Sequence, residues 1–130
     1  MPALSQSLVF TINSATTVQV DYPNTGTATL TYYSDRIKGD GYYGGSDGFH
    51  TTAYKCNPQF VGTVTMQASL ATEPVETDWF NVQSTTSTYT ALNIRTTSTV
   101  DLYNFTGNFV WLRGKIVINQ GSVISIKVNN

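Results

Sequence analysis

Charge is scarce in this chain: Asp, Glu, Lys and Arg make up 12% of its 130 residues, about half the usual ~25% share. The seven Lys and Arg residues are scattered and the net charge is −1. The basic footprint of a nucleic-acid binder is therefore missing, and no nucleic-acid partner is expected. Cys56 is the sole cysteine, which excludes an internal disulfide. Its ordinary role is that of a small buried hydrophobe. A single histidine, His50, leaves catalysis short of its commonest base. No stretch approaches the ~18 apolar residues of a membrane span. The first residues, Met1-Pro-Ala-Leu-Ser-Gln, lack a charged region followed by an apolar run, so no signal peptide is expected. No helix of ordinary length and no internal repeat is visible.

What is present points to strands. Hydrophobic residues reach 40%, too many for a disordered tail. Threonine recurs in pairs such as Thr16–Thr17, Thr51–Thr52, Thr85–Thr86 and Thr96–Thr97. β-branched and aromatic residues fit a pleated surface and fill helices poorly. The length suits one domain over residues 1–130, able to bury roughly two-thirds of its unfolded surface without a staple.

Leu8, Phe10 and Ile12 alternate with polar residues, as do Val18 and Val20, then Ala28, Leu30 and Tyr32. With turn residues at Tyr22–Gly26, residues 16–33 are expected to form a hairpin. Gly39–Gly48 (GDGYYGGSDG) breaks the pattern and predicts a surface loop. Phe49–Cys56 is a weaker strand. From Phe60 to Leu70 one face takes Phe60, Gly62, Val64, Met66, Ala68 and Leu70, the other Val61, Thr63, Thr65, Gln67 and Ser69. Pro74 stops the loop Ala71–Asp78, and Trp79, Phe80 and Val82 follow as a short strand. The last third reads as a meander. Val100–Phe105 leads into Gly107-Asn108, the chemistry of a two-residue hairpin turn. Phe109–Ile118 is the next strand, Asn119–Ser122 a turn, and Ile124, Ile126 and Val128 a final strand. About 8–10 short strands at regular spacing predict an all-β fold, an antiparallel β-sandwich or jelly roll.

Catalytic constellations are thin. His50 has only Asp47 nearby as an orienting acid, in a glycine-rich segment. His50 and Cys56 share one side of a strand but lie roughly 20 Å apart along it, too far to touch. Asp40 and Asp47 do not match the acidic ladder of a calcium loop. Glu73, Glu76 and Asp78 lie in one loop rather than across a cleft. No enzyme activity, cofactor or metal is expected. Tyr42 and Tyr43 among glycines resemble a recognition loop, where rigid aromatics supply contact area. The strand Phe109–Ile118 is apolar on both faces at its start. One face belongs to a core, and the Phe109–Trp111–Arg113 face is left for neighbouring loops or a partner subunit. Trp79, with Tyr42 and Tyr43, is a candidate stacking platform for a glycan.

The runs Val61–Val82 (VGTVTMQASLATEPVETDWFNV), Phe105–Arg113 (FTGNFVWLR) and Gly121–Val128 (GSVISIKV) resemble small β-sandwich structural proteins of tailed bacteriophage virions, those of T4-like and marine cyanobacterial phages in particular. The resemblance covers about half the chain, from residue 60 onward. It implies a capsid decoration, neck or tail component, in contact with other virion proteins and copies of itself. It further implies assembly in the host cytoplasm, residence in the virion and no catalytic residues. A carbohydrate- or receptor-binding module is the alternative of another class.

Overall fold

The computed structural model describes residues 5–8, 18–20, 30–39, 48–58, 60–89 and 99–129. Tyr42 and Tyr43, most of the glycine-rich segment, and the alternations at Phe10–Ile12 and Ala28 lie outside them. Among the described residues ten antiparallel strands form: β1 (Ser5–Ser7), β2 (Val18–Val20), β3 (Leu30–Tyr33), β4 (Ile37–Lys38), β5 (Phe49–Cys56), β6 (Val61–Ser69), β7 (Phe80–Asn81), β8 (Ser87–Tyr89), β9 (Thr99–Thr106) and β10 (Trp111–Asn129). Two single 3-10 turns, Glu76–Asp78 and Gln83–Thr85, interrupt them.

β10 is the axis of the fold. Along one set of pairings β1 to β4 follow it backwards, with Ser5 opposite Asn129, Val20 opposite Gly121, Tyr33 opposite Lys115 and Lys38 opposite Trp111. β5 and β6 follow it too, from Thr51 opposite Asn129 to Ser69 opposite Trp111. β7 and β8 run back along β6, and β9 along β5. Among the described residues of the hairpin expected over 16–33, β2 and β3 do not pair with each other; each takes β10 as partner, and so they run parallel to one another. The Gly107-Asn108 hairpin is likewise replaced. β9 pairs with β5, so the chain crosses β5 to reach β10. The last third is therefore not a meander.

The turn expected at Asn119–Ser122 is also absent, since β10 runs unbroken for 19 residues. Asn, Gln, Gly and Ser serve there as bulge residues. The register slips between Ile118 and Gln120 and again between Val123 and Ser125, and Gly121 takes φ +80°, open to glycine without a Cβ clash. Each slip reverses which face a side chain takes. The buried positions accordingly pass from Leu112, Ile116 and Ile118 to Val123, then back to Ile126 and Val128. A flat strand would have put Val123 outside.

These bends curl the sheet so that its two halves meet over one core. Val64, Met66, Ala68, Leu112, Ile116 and Ile118 come from one half, and Leu8, Tyr54, Cys56, Phe105, Val123, Ile126 and Val128 from the other. The fold is an antiparallel β-sandwich. Polar pins cross it: the Tyr54 hydroxyl donates to the Thr85 carbonyl at 2.8 Å, and the Met66 N–H donates to the Thr85 hydroxyl at 3.0 Å. Burial pushes the Tyr54 and Tyr89 phenols above their ordinary range, so both remain neutral donors. Leu70, expected to continue the β6 core face, lies one residue beyond the strand and is exposed.

Candidate interaction surface

β6 is buried on both faces. Beneath Val64, Met66 and Ala68 is the core; on the other side Thr65, Gln67 and Ser69 are also covered. The cover is built around Arg113, which faces the same way as Trp111 and Lys115 on β10. Arg113 is only 7% exposed, and a guanidinium in that position needs its donors matched. Nε donates to Gln67 Oε1 at 2.8 Å, and Nη1 and Nη2 donate to the two Glu76 carboxylate oxygens at 3.0 and 3.1 Å. Its planar faces meet the rings of Tyr33 and Trp79, at 4.2 and 4.3 Å from the centroids. Gln67 passes the network on, donating from Nε2 to Asn81 Oδ1 at 2.9 Å. The hydrogen bonds from Arg113 hold the Glu76 carboxyl below its ordinary range.

Trp111 works beside this cluster. Its indole N–H donates to the Thr72 carbonyl at 2.9 Å, and the Arg36 guanidinium sits 4.1 Å from its ring centre. Arg36 in turn lies 3.6 Å from Glu73. The segment 71–79 is thus a strap laid over this face and pinned at Thr72, Glu73, Glu76 and Trp79. The 3-10 turn inside it is closed by Asp78, whose carboxylate accepts from the Val75 N–H at 2.9 Å. Neighbouring loops therefore cover the Trp111–Arg113 face of β10 within this chain.

Phe109 does not share that face. It packs with Phe80 at 5.8 Å, His50 at 6.2 Å and Phe105 at 6.3 Å between ring centres. His50 is buried, stacked on Phe105 at 4.8 Å, with Nε2 donating to the Gly107 carbonyl at 2.8 Å. Of the residues singled out in the sequence, the structure brings Trp79 and Arg113 into contact, sets Trp111 beside them and places Phe109 elsewhere. Among the described residues no three His, Cys, Asp or Glu side chains group as a metal site. No helix among them is long and apolar enough to cross a membrane.

Sequence patterning missed the outer face of β9. Asp101, Tyr103 and Phe105 turn inward, where Tyr89 and Tyr103 hydroxyls bond Asp101 and Ser87. Val100 and Leu102 turn outward and are 54% and 66% exposed. Across the ladder Leu102 faces Ala53 and Val100 faces Lys55. The signal was present, since Val100–Phe105 is apolar in both parities, as Phe109–Val117 is.

No protein family and no curated protein sequence matches the chain. Solved structures do match in fold. Two cleaved adhesin domains of Lys-gingipain from Porphyromonas gingivalis each superpose with a TM-score of 0.50. One is 11% identical, over 99% of this chain and 97% of the other, and the second is 7% identical, over 98% and 74%. A CBM35 domain of Cellvibrio japonicus Abf62 aligns at a TM-score of 0.47 and 11% identity, over 98% of this chain and 92% of its own. At such identities the likeness is one of β-sandwich architecture.

Proposed function

We propose that this chain is a non-catalytic structural protein of a bacteriophage particle, acting through protein–protein contacts made by the outer face of β9. The observation that carries this is the pair Val100 and Leu102, adjacent on one strand and both more than half exposed. A sheet face turned to water ordinarily reads polar at those positions. Contiguous apolar surface of this kind marks contact sites. Ala53 extends the patch on β5, and Lys55 gives it a charged rim, the anatomy of a protein interface. The resemblance of residues 60 onward to virion β-sandwich proteins supplies the setting. Trp79, Trp111 and Arg113 serve it indirectly, by fixing the strap and with it the shape of the particle subunit.

Leu102→Asp tests the face. An exposed position tolerates the change within about 0.5 kcal/mol of fold stability. A buried interface anchor loses about 2 kcal/mol or more of association. The variant should therefore melt like the parent and fail to enter particles when supplied in trans to an infection lacking the natural copy. Normal incorporation would remove β9 as the contact surface.

A further inference from the structure

The face of β9 and the strap over β6 are both exposed, and their chemistry is complementary. On the first, Val100 and Leu102 stand across the ladder from Lys55 and Ala53 of β5. Beyond Ala53 comes Lys127 of β10. Side chains directly opposite in an antiparallel pair share a face, so both lysines project beside the apolar pair, and both are exposed. Asp101, the acid of β9, points the other way, where it accepts from the Tyr89 hydroxyl. Among the described residues this face carries no Asp or Glu, and neither lysine meets a carboxylate.

The strap is its counterpart. Leu70 at the entry and Val75 in the middle are 65% and 62% exposed. The charges of segment 71–79 are all acidic, Glu73, Glu76 and Asp78. Two of these side chains stand largely in solvent, Glu73 at 84% and Glu76 at 73% exposed. Each meets one cation, Arg36 at 3.6 Å and Arg113 at 3.0 Å. A carboxylate has about four lone-pair sites, so both can accept from a second cation.

We propose that the β9 face of one copy docks on the strap of the next copy, head to tail. This rests on the reading of β9 as a contact surface and names its partner as a second copy of the chain. The contact sets aliphatic side chains on aliphatic side chains and lysines on carboxylates. Pairing β9 face with β9 face would bring Lys55 and Lys127 against their own copies. Pairing strap with strap would do the same with the carboxylates, and like charges so placed oppose association. The strap lies over β6 and the first half of β10, whereas β5 and β9 belong to the other half of the curled sheet. The two surfaces therefore cannot meet within one molecule. A contact between unlike surfaces leaves one of each at the ends, so it repeats until a ring closes or a filament grows.

Sedimentation velocity of the whole protein tests this. From about 10 μM to about 1 mM the species should grow with concentration. Raising salt from about 0.05 M to about 0.5 M should shrink them. Leu102→Asp spoils one surface, and a strap variant carrying Leu70→Gln and Val75→Gln spoils the other. Each should weaken self-association by about tenfold or more. All three positions are exposed, so melting temperatures close to the parent's verify that both variants fold. The deciding sample is a mixture of the two. One intact contact remains, between the β9 face of the strap variant and the strap of the Leu102→Asp variant. The mixture should therefore form a heterodimer and stop there. Self-association indifferent to the strap substitutions, or a mixture no larger than its components, would overturn the head-to-tail contact. A parent protein that stays monomeric at every concentration would overturn it too. If Leu102→Asp were nevertheless excluded from particles, β9 would stand as the contact surface, with an unlike protein as its partner.

Discussion

Arg113 shows how far one side chain can depart from what its type foretells. An arginine beside a tryptophan on a β-strand carries the composition of an interface hot spot. Here its guanidinium is engaged inside the molecule, hydrogen-bonded to Gln67 and Glu76 and packed on the rings of Tyr33 and Trp79. No local pattern links these partners, which come from 34 to 80 positions away in sequence. The nearest signal was the acidic loop itself, where Glu76 is one of three carboxylates. Glu76 gives the cluster a pH dependence whose sign follows from its lowered pKa. A carboxyl held below its unfolded value stabilises the fold above the ordinary glutamate range. That contribution is lost as pH falls through the folded value. The Glu76 side chain is 73% exposed, so solvent screening limits the effect to roughly 0.5–1 kcal/mol. Glu76→Gln should therefore melt below the parent at neutral pH, and the gap should close as the pH falls below the ordinary glutamate range. A gap of constant size across that range would mean that Glu76 acts through packing and not through its charge.

At the scale of the element, β6 was legible and β10 was not, for one physical reason. β6 alternates without interruption, and Val64, Met66 and Ala68 fill the core as their spacing predicts. β10 carries two bulges, and each inverts the alternation on which such reading depends. Asn119–Ser122 also has the composition of a turn, and nothing local says that a longer strand will absorb it. The hairpins expected at 16–33 and Gly107-Asn108 failed similarly, because turn chemistry fixes a reversal but not the identity of the partner strand. Gly62 exposes how tightly β6 and β10 are matched. A Cβ built on it would sit 2.1 Å from the Val117 carbonyl oxygen, a backbone atom that cannot rotate away. Gly62→Ala must push the two central strands apart beside the bulge at Ile118. Overpacking of this kind costs about 1–3 kcal/mol, and chemical denaturation should show the loss as a lower midpoint with an unchanged slope. A stability within about 0.5 kcal/mol of the parent would mean that the bulge relaxes freely.

The whole molecule is organised around its C-terminal strand, and that arrangement was the least visible in the sequence. Ser5 pairs with Asn129, Tyr33 with Lys115, and Thr51 with Asn129 again. Contacts of such separation close long loops before they return any stabilisation, so folding should be slow, in the millisecond-to-second range of β-sandwiches. They also make the fold depend on its end. Deleting residues 123–130 removes the partner of β1 and every register pair between β5 and β10. It further takes Val123, Ile126 and Val128 out of the core. Three buried aliphatic side chains contribute roughly 1.5–3 kcal/mol each, a sum comparable to the ~5–15 kcal/mol that holds a whole domain. The hydrogen bonds of two strands go with them, leaving β5 with β9 as its neighbour in the sheet. Separate hairpins could survive such a cut in a meander, where each strand rests on the one before it. Among the described residues none of β1 to β4 pairs with its neighbour in sequence; all four rest on β10. The truncated chain should consequently show collapsed amide dispersion by NMR and no cooperative melt. A cooperative transition near that of the parent would mean that β5, β6 and β9 form a self-sufficient unit and that β10 is an accessory to it rather than its axis.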